Sequence, residues 1–132
     1  MYINLESDYA VRILTELCRR AGRTDAGTLA NATGVTPRFT LKILRKLVAS
    51  ELVCSFKGTH GGYQIAKKPE DITLLEVIEL VEGRYCFSRC LDNEHSCAGW
   101  GQSDCCKVQQ VYLDISELVR SKLRAVTLDQ LL

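Results

Sequence analysis

Apolar residues recur at Ala10, Ile13, Leu14, Leu17, Cys18 and Ala21, the three-to-four spacing that lines one helix face, and Ser7 is a residue type that caps helix N-termini. A first helix is therefore expected from Ser7, ending near Gly22. A short second helix, Ala26 to Thr33, closes at Gly34, where positive φ is tolerated, and Val35 is the buried residue of the following turn. Thr36 then caps a third helix with Pro37 in its first position and Leu41, Leu44, Leu47 and Val48 facing inward. Two strand-like runs, Leu52 to Lys57 and Tyr63 to Ala66, flank Gly58-Thr59-His60-Gly61-Gly62 and predict a β-hairpin. Thr73-Leu74-Leu75-Glu76 is a capping box opening a fourth helix, with Leu74, Val77, Ile78 and Val81 inward and Gly83 closing it.

No periodicity follows until a helix expected to start near Asp104, a gap longer than compact domains usually carry without a functional reason. From Cys106 onward, Val108, Val111, Tyr112, Ile115, Leu118, Val119 and Leu123 form an apolar band wider than one small domain needs. Such a band seeks a second helix, and a two-fold dimer supplies one. Thr127 with Gln130 caps a last short turn. The expected fold is mainly α with a small β-hairpin, a winged helix-turn-helix domain plus a long C-terminal dimerisation helix. Its expected parts are a DNA-binding domain over 1–83, a cysteine-rich loop over 84–106, and a dimerisation helix with a C-terminal turn over 107–132. At 132 residues the chain can bury a modest core without disulfides or structural metal.

The net charge of +1 conceals a strong asymmetry. Residues 34–68 hold Arg38, Lys42, Arg45, Lys46, Lys57, Lys67 and Lys68 against the single acid Glu51, while 69–132 are net acidic. A charge run by itself is usually a solvated face. Here it coincides with a helix-turn-helix, whose third helix offers Thr36, Arg38, Phe39, Lys42, Arg45 and Lys46 to double-stranded DNA, and whose wing offers Lys57, Thr59 and His60.

Cysteine usage adds the second chemistry. Cys86, Cys90, Cys97, Cys105 and Cys106 fall in the unpatterned stretch, whereas Cys18 and Cys54 lie in apolar patterns and read as small buried hydrophobes. The N-terminal residues carry Glu6 and Asp8 and no run long enough for a signal peptide or a membrane span, so a cytoplasmic location is expected. In a reducing compartment, clustered thiols are metal ligands or redox switches before they are structural disulfides. Soft thiolates suit iron-sulfur clusters. Zinc sites favour closely paired cysteines, of which Cys86-x3-Cys90 and the adjacent Cys105-Cys106 are the only examples. The order of expectation is an iron-sulfur cluster, then zinc, then a disulfide switch. An electron carrier on a winged-helix frame is a competing class, but neither a dinucleotide fingerprint nor a catalytic triad is present, and the only histidines are His60 and His95.

The order of elements, the Asp8-Tyr9-Ala10 opening, the wing Lys57-Gly58-Thr59-His60-Gly61-Gly62-Tyr63, and a cysteine loop leading into a long helix resemble the Rrf family of bacterial winged helix-turn-helix regulators. The resemblance runs nearly end to end. It implies a homodimer that reads a palindromic operator, with no enzymatic activity, and whose DNA affinity is controlled by an iron-sulfur cluster on three loop cysteines. Mapped onto this chain, the ligands are Cys90, Cys97 and Cys106, with Cys105 as substitute for Cys106 and Cys86 as a spare. IscR-like members place a His three residues after the third cysteine, where this chain has Gln109, a poor iron ligand. NsrR-like members present a carboxylate from the partner subunit's first helix, which maps to Asp8; His95 is the rival donor. That pattern favours a 4Fe-4S over a 2Fe-2S cluster. A zinc-binding or thiol-redox regulator of the same fold is the alternative reading, and a regulator with neither metal nor cluster, working through protein contacts, is a further one.

Overall fold

The computed structural model describes residues 2–92 and 106–132. Its helices are α1 (Leu5–Arg20), α2 (Ala26–Thr33), α3 (Pro37–Ala49), α4 (Leu74–Glu82) and α5 (Lys107–Arg124), with strands β1 (Val53–Phe56) and β2 (Gly62–Ile65) between α3 and α4. The fold is the expected one, mainly helical with a two-strand antiparallel hairpin.

Helix α1 is the spine of the core. Its buried Ala10, Ile13, Leu14 and Leu17 meet Leu29, Ile43, Leu44, Leu47, Val77 and Leu128 in one apolar cluster, and it packs against α2, α3 and α4. Each such Leu or Ile taken fully out of water contributes about 1.5–3 kcal/mol. The chain end closes the cluster. Leu128 is fully buried, its N–H donates to the Ile72 carbonyl at 3.0 Å, and the Leu74 N–H donates to the Val126 carbonyl at 2.8 Å.

Several expectations shift by local competition. The cap of α1 is Asn4, whose side chain accepts the Ser7 N–H at 2.8 Å, because the Ser7 hydroxyl is engaged by Glu82 of α4 at 2.6 Å. The inward stripe of α3 is Thr40, Ile43, Leu44 and Leu47, and Leu41 is 40% exposed. A helix face holds residues spaced by three and four from one another, and Leu41 falls off the face that Ile43 and Leu47 define. In α4 Leu75 is buried where Leu74 was expected inward. Cys54 is exposed, since strand side chains alternate and Val53 takes the inner face. Cys18 is buried as expected, and burial pushes its thiol up. The capping box of α4 is half realised: Thr73 accepts the Glu76 N–H at 3.1 Å, while the Glu76 carboxylate goes to Lys67 at 3.0 Å.

The hairpin pairs Val53 with Ile65 and Phe56 with Gly62. Its base is sewn to the α1–α2 connection by reciprocal bonds, Thr24 N–H to the Tyr63 carbonyl and Tyr63 N–H to the Thr24 carbonyl, both 2.8 Å. That close approach requires glycine at position 62, where φ is 142° and a Cβ would stand 2.8 Å from the Thr24 carbonyl oxygen. Gly62→Ala should therefore destabilise the domain by about 1–3 kcal/mol, read as a lower urea midpoint with an unchanged m value.

Candidate nucleic-acid interface and cysteine segment

The turn between α2 and α3 is built by two caps. Gly34 ends α2 in the left-handed conformation with its N–H bonded to the Ala30 carbonyl, and Thr36 opens α3 by accepting the Phe39 N–H at 3.4 Å. Between them Val35 is buried, which fixes the angle between the helices. Arg38, Phe39, Lys42 and Arg45 are exposed on α3, as are Lys57, Thr59 and His60 at the wing tip. The structure thus brings the predicted reading residues onto one exposed helix and the adjoining wing.

Two residues that sequence reasoning passed over shape this surface. Arg23 stacks its guanidinium 3.7 Å from the centre of the Phe56 ring and donates to the His60 carbonyl at 3.4 Å, fixing the wing to the α1–α2 connection. Such a contact contributes about 0.5–1 kcal/mol at an exposed site. Glu6, in the first turn of α1, lies 2.8 Å from the Lys46 ammonium and 3.4 Å from that of Lys42. The bond from Lys46 holds the Glu6 carboxyl below the usual carboxylate range against the opposing effect of its partial burial, and Lys42 adds to it. The lysines expected on phosphates are thus paired inside the fold. No local signal announces either contact, because Arg23 and Glu6 are remote in sequence from their partners. Beside this ion pair Tyr9 meets Phe39 edge-on, with ring centres 5.9 Å apart.

Of the predicted cluster ligands, Cys90 and Cys106 lie in the described residues, while Cys97, Cys105 and His95 lie outside them. Cys90 sits in a single 3-10 turn, Arg89–Leu91, and Cys106 is the N-cap of α5, accepting the Gln109 N–H at 3.5 Å. The same Gln109 donates its side-chain amide to the Cys90 carbonyl at 3.1 Å. Gln109, discounted as a ligand, is the staple between the two cysteine positions. Two cysteine positions joined through Gln109, one of them capping a helix N-terminus that favours negative charge, offer the soft thiolate chemistry that an iron-sulfur cluster takes.

This segment is latched to both flanking helices. Glu79 of α4 receives Arg120 of α5 and the Tyr85 N–H, the latter at 3.0 Å. The buried Ser116 hydroxyl accepts the Phe87 N–H at 2.9 Å and donates back to the Tyr112 carbonyl at 2.8 Å, and the Phe87 and Tyr112 rings are 5.2 Å apart. Cys86, half-buried between these latches, lines a cavity of about 470 Å³ with Glu82, Arg84 and Tyr85. Asp8 is not part of this cluster of contacts. It pairs with Arg12 one helical turn on, at 2.8 Å, with 45% of its side chain exposed.

A family model described as "Rrf2: Iron-dependent Transcriptional regulator" matches residues 3–132. The chain belongs to the Rrf2 family. Bacillus subtilis CymR, named an HTH-type transcriptional regulator, is 23% identical over 133 residues, covering 99% of this chain and 89% of CymR. A Mycobacterium tuberculosis protein carrying the name of an HTH-type transcriptional regulator is 34% identical over 85 residues, covering 63% of this chain. That match spans about half the relative's length, 53%. Among solved structures, T. potens IscR superposes with a TM-score of 0.80 at 20% identity, covering 99% of this Rrf2 chain and 85% of IscR. CymR described as the global cysteine regulator of B. subtilis gives 0.80 at 21% identity, covering 99% and 95%. These likenesses fix the fold of the Rrf2 chain as that of winged-helix regulators with a C-terminal helix.

The double duty of Cys106 as cap and candidate ligand can be separated. A Ser N-cap satisfies the same N–H and Ala does not, so Cys106→Ala should cost about 0.5–1 kcal/mol of stability and Cys106→Ser essentially none. Thermal unfolding of the metal-free protein measures the pair, and equal losses would remove the cap.

Proposed function

We propose that this Rrf2 chain is a homodimeric transcriptional regulator that reads a palindromic operator through α3 and the wing, and whose operator affinity is set by an iron-sulfur cluster at the cysteine segment. The observation that carries this reading is Gln109, which ties the Cys90 turn to the Cys106 cap at 3.1 Å and 3.5 Å. These bonds keep the backbone of one candidate ligand beside the other. In the proposal Cys90, Cys97 and Cys106 supply thiolates and Asp8 of the partner subunit supplies a hard, displaceable carboxylate, a set that favours 4Fe-4S. A bound cluster supplies an iron centre whose state responds to oxidants or small ligands.

The dimer reading rests on α5. Only Ser116 of that helix is buried, while Val111 and Leu118 are 54% and 72% exposed. An apolar face of this width in water is covered in a stable assembly. A two-fold pairing of α5 helices also places two copies of α3 for two half-sites. The domain division at 84 and 106 follows from the same reading, with 84–106 as the sensing segment between reader and dimer helix. A zinc-binding or thiol-redox regulator of the same fold is the second reading, favoured by the closely paired Cys86-x3-Cys90 and Cys105-Cys106.

Anaerobic purification with an optical spectrum and iron and sulfide assay separates them. Wild type should be coloured; Cys90→Ser, Cys97→Ser and Cys106→Ser should each lose the chromophore with helix content intact, and Cys18→Ser and Cys54→Ser should keep it. Asp8→Ala should retain a cluster with an altered spectrum. A colourless wild type with stoichiometric zinc would give the second reading precedence.

The reader has its own test. Lys57 stands exposed where β1 leaves for the wing tip, so Lys57→Ala should weaken binding to an operator selected from random duplexes by about 1 kcal/mol, with a shallower salt dependence. Unchanged affinity at two salt concentrations would take the wing out of the interface.

A further inference from the structure

Glu6 is an acid placed against the helix that carries the reading surface. One carboxylate oxygen, Oε1, serves both Lys46 at 2.8 Å and Lys42 at 3.4 Å. Lys42 and Lys46 are one turn apart on α3, and Lys42 also lies over the exposed Phe39 ring at 5.9 Å. Phe39, Lys42 and Lys46 therefore form a single stripe. The facing stripe on α1 is Glu6 and Tyr9, and Tyr9 meets Phe39 edge-on. The turn that carries Glu6 is fixed from behind: the Asn4 N–H and the Ser7 hydroxyl on either side of Glu6 both donate to Glu82 Oε1, at 2.9 Å and 2.6 Å. Glu82 is the last residue of α4, immediately before the segment that carries Cys86 and Cys90.

We propose that Glu6 is an internal stand-in for a DNA phosphate, a positioning residue that occupies Lys42 and Lys46 until the duplex displaces it and so lowers the affinity of α3 for sequence-independent backbone contacts. The inference rests on the assignment of α3 as DNA reader and deepens it. Magnitudes separate it from a purely structural tie. A partly exposed ion pair on a helix surface contributes little to stability, so the fold does not need Glu6. Its effect on phosphate binding is larger, because each lysine that neutralises a phosphate releases a counterion and contributes about 0.9 to the slope of log affinity against log salt. Restraining two lysines suppresses binding to every duplex alike. Base-edge contacts from Arg38 and Arg45 are untouched, and discrimination between operator and bulk DNA rises. The anchorage on Glu82 ties this turn of α1 to the end of α4, two residues before the cysteine segment, so a displacement of the α4 end moves the carboxylate relative to the lysines.

The test uses full-length protein and a random-sequence duplex as probe, titrated across a series of salt concentrations. Glu6→Gln should bind the random duplex on the order of tenfold more tightly and steepen the log–log salt slope by about 1 to 2, with an essentially unchanged thermal midpoint. Glu16→Gln makes the same charge change at a carboxylate paired with Arg19 and Arg20 of its own helix, and should show neither effect. Adding Lys42→Ala and Lys46→Ala to the Glu6→Gln protein should abolish the gain. That last comparison holds even if Glu6→Gln is less stable. An unchanged or weaker Glu6→Gln, an equal gain in Glu16→Gln, or a gain that survives loss of both lysines would each overturn the proposal. If wild type and every variant fail to bind any duplex, the assignment of α3 as reader falls first, and the inference with it.

Discussion

The fold turns on the bond between the end of α4 and the start of α1. Glu82 accepts from the Asn4 backbone and the Ser7 hydroxyl, two donors converging on one carboxylate, and hydrogen bonds to a charged acceptor contribute about twice what neutral ones do. Because α1 carries the buried stripe against α2, α3 and α4, the register of that stripe is set where the helix starts. The same turn carries Glu6 toward α3. One junction thus fixes both the core and the electrostatics of the reading helix.

Charge in the basic third of the chain is less available than the sequence suggests. Of its seven bases, Lys42 and Lys46 face Glu6 and Lys67 faces Glu76. The acids come from outside the segment, α1 on one side and α4 on the other. A net charge counted along the chain overstates the field at a surface whenever the fold returns opposite charges to it. What the sequence locates correctly is the place of the positive field, and what tertiary structure sets is its strength.

The same division governs what was legible. The turn between α2 and α3, with Gly34, buried Val35, Thr36 and Pro37, was readable because each residue does its work within four positions of itself. The hairpin was readable for the same reason, whereas the need for glycine at position 62 comes from the remote Thr24 backbone. Leu41, Leu74 and Cys54 were misplaced because a short apolar run fits more than one register, and only packing against other elements selects the face. Asn4 was passed over as a cap because Ser7 is also a good cap; a remote carboxylate, Glu82, takes Ser7 out of that competition. Gln109 was judged by what its amide cannot ligate, and its bond to the Cys90 carbonyl spans 19 positions of chain.

The cysteine segment is held by polar groups at the edge of the core and by the Phe87–Tyr112 ring contact. Glu79 joins α4 to Arg120 of α5 and to the Tyr85 backbone, Ser116 joins α5 to the Phe87 backbone, and Gln109 joins the first turn of α5 to the Cys90 turn. Each of these hydrogen bonds costs little to break singly, since a hydrogen bond nets about 0.5–1.5 kcal/mol when its groups can return to water. Local opening of such bonds lies at the low-energy end of the motions a domain makes. The chain end that follows α5 is anchored by burial of Leu128. Glu79, which receives Arg120 of α5, stands one turn before the Glu82 that grips α1.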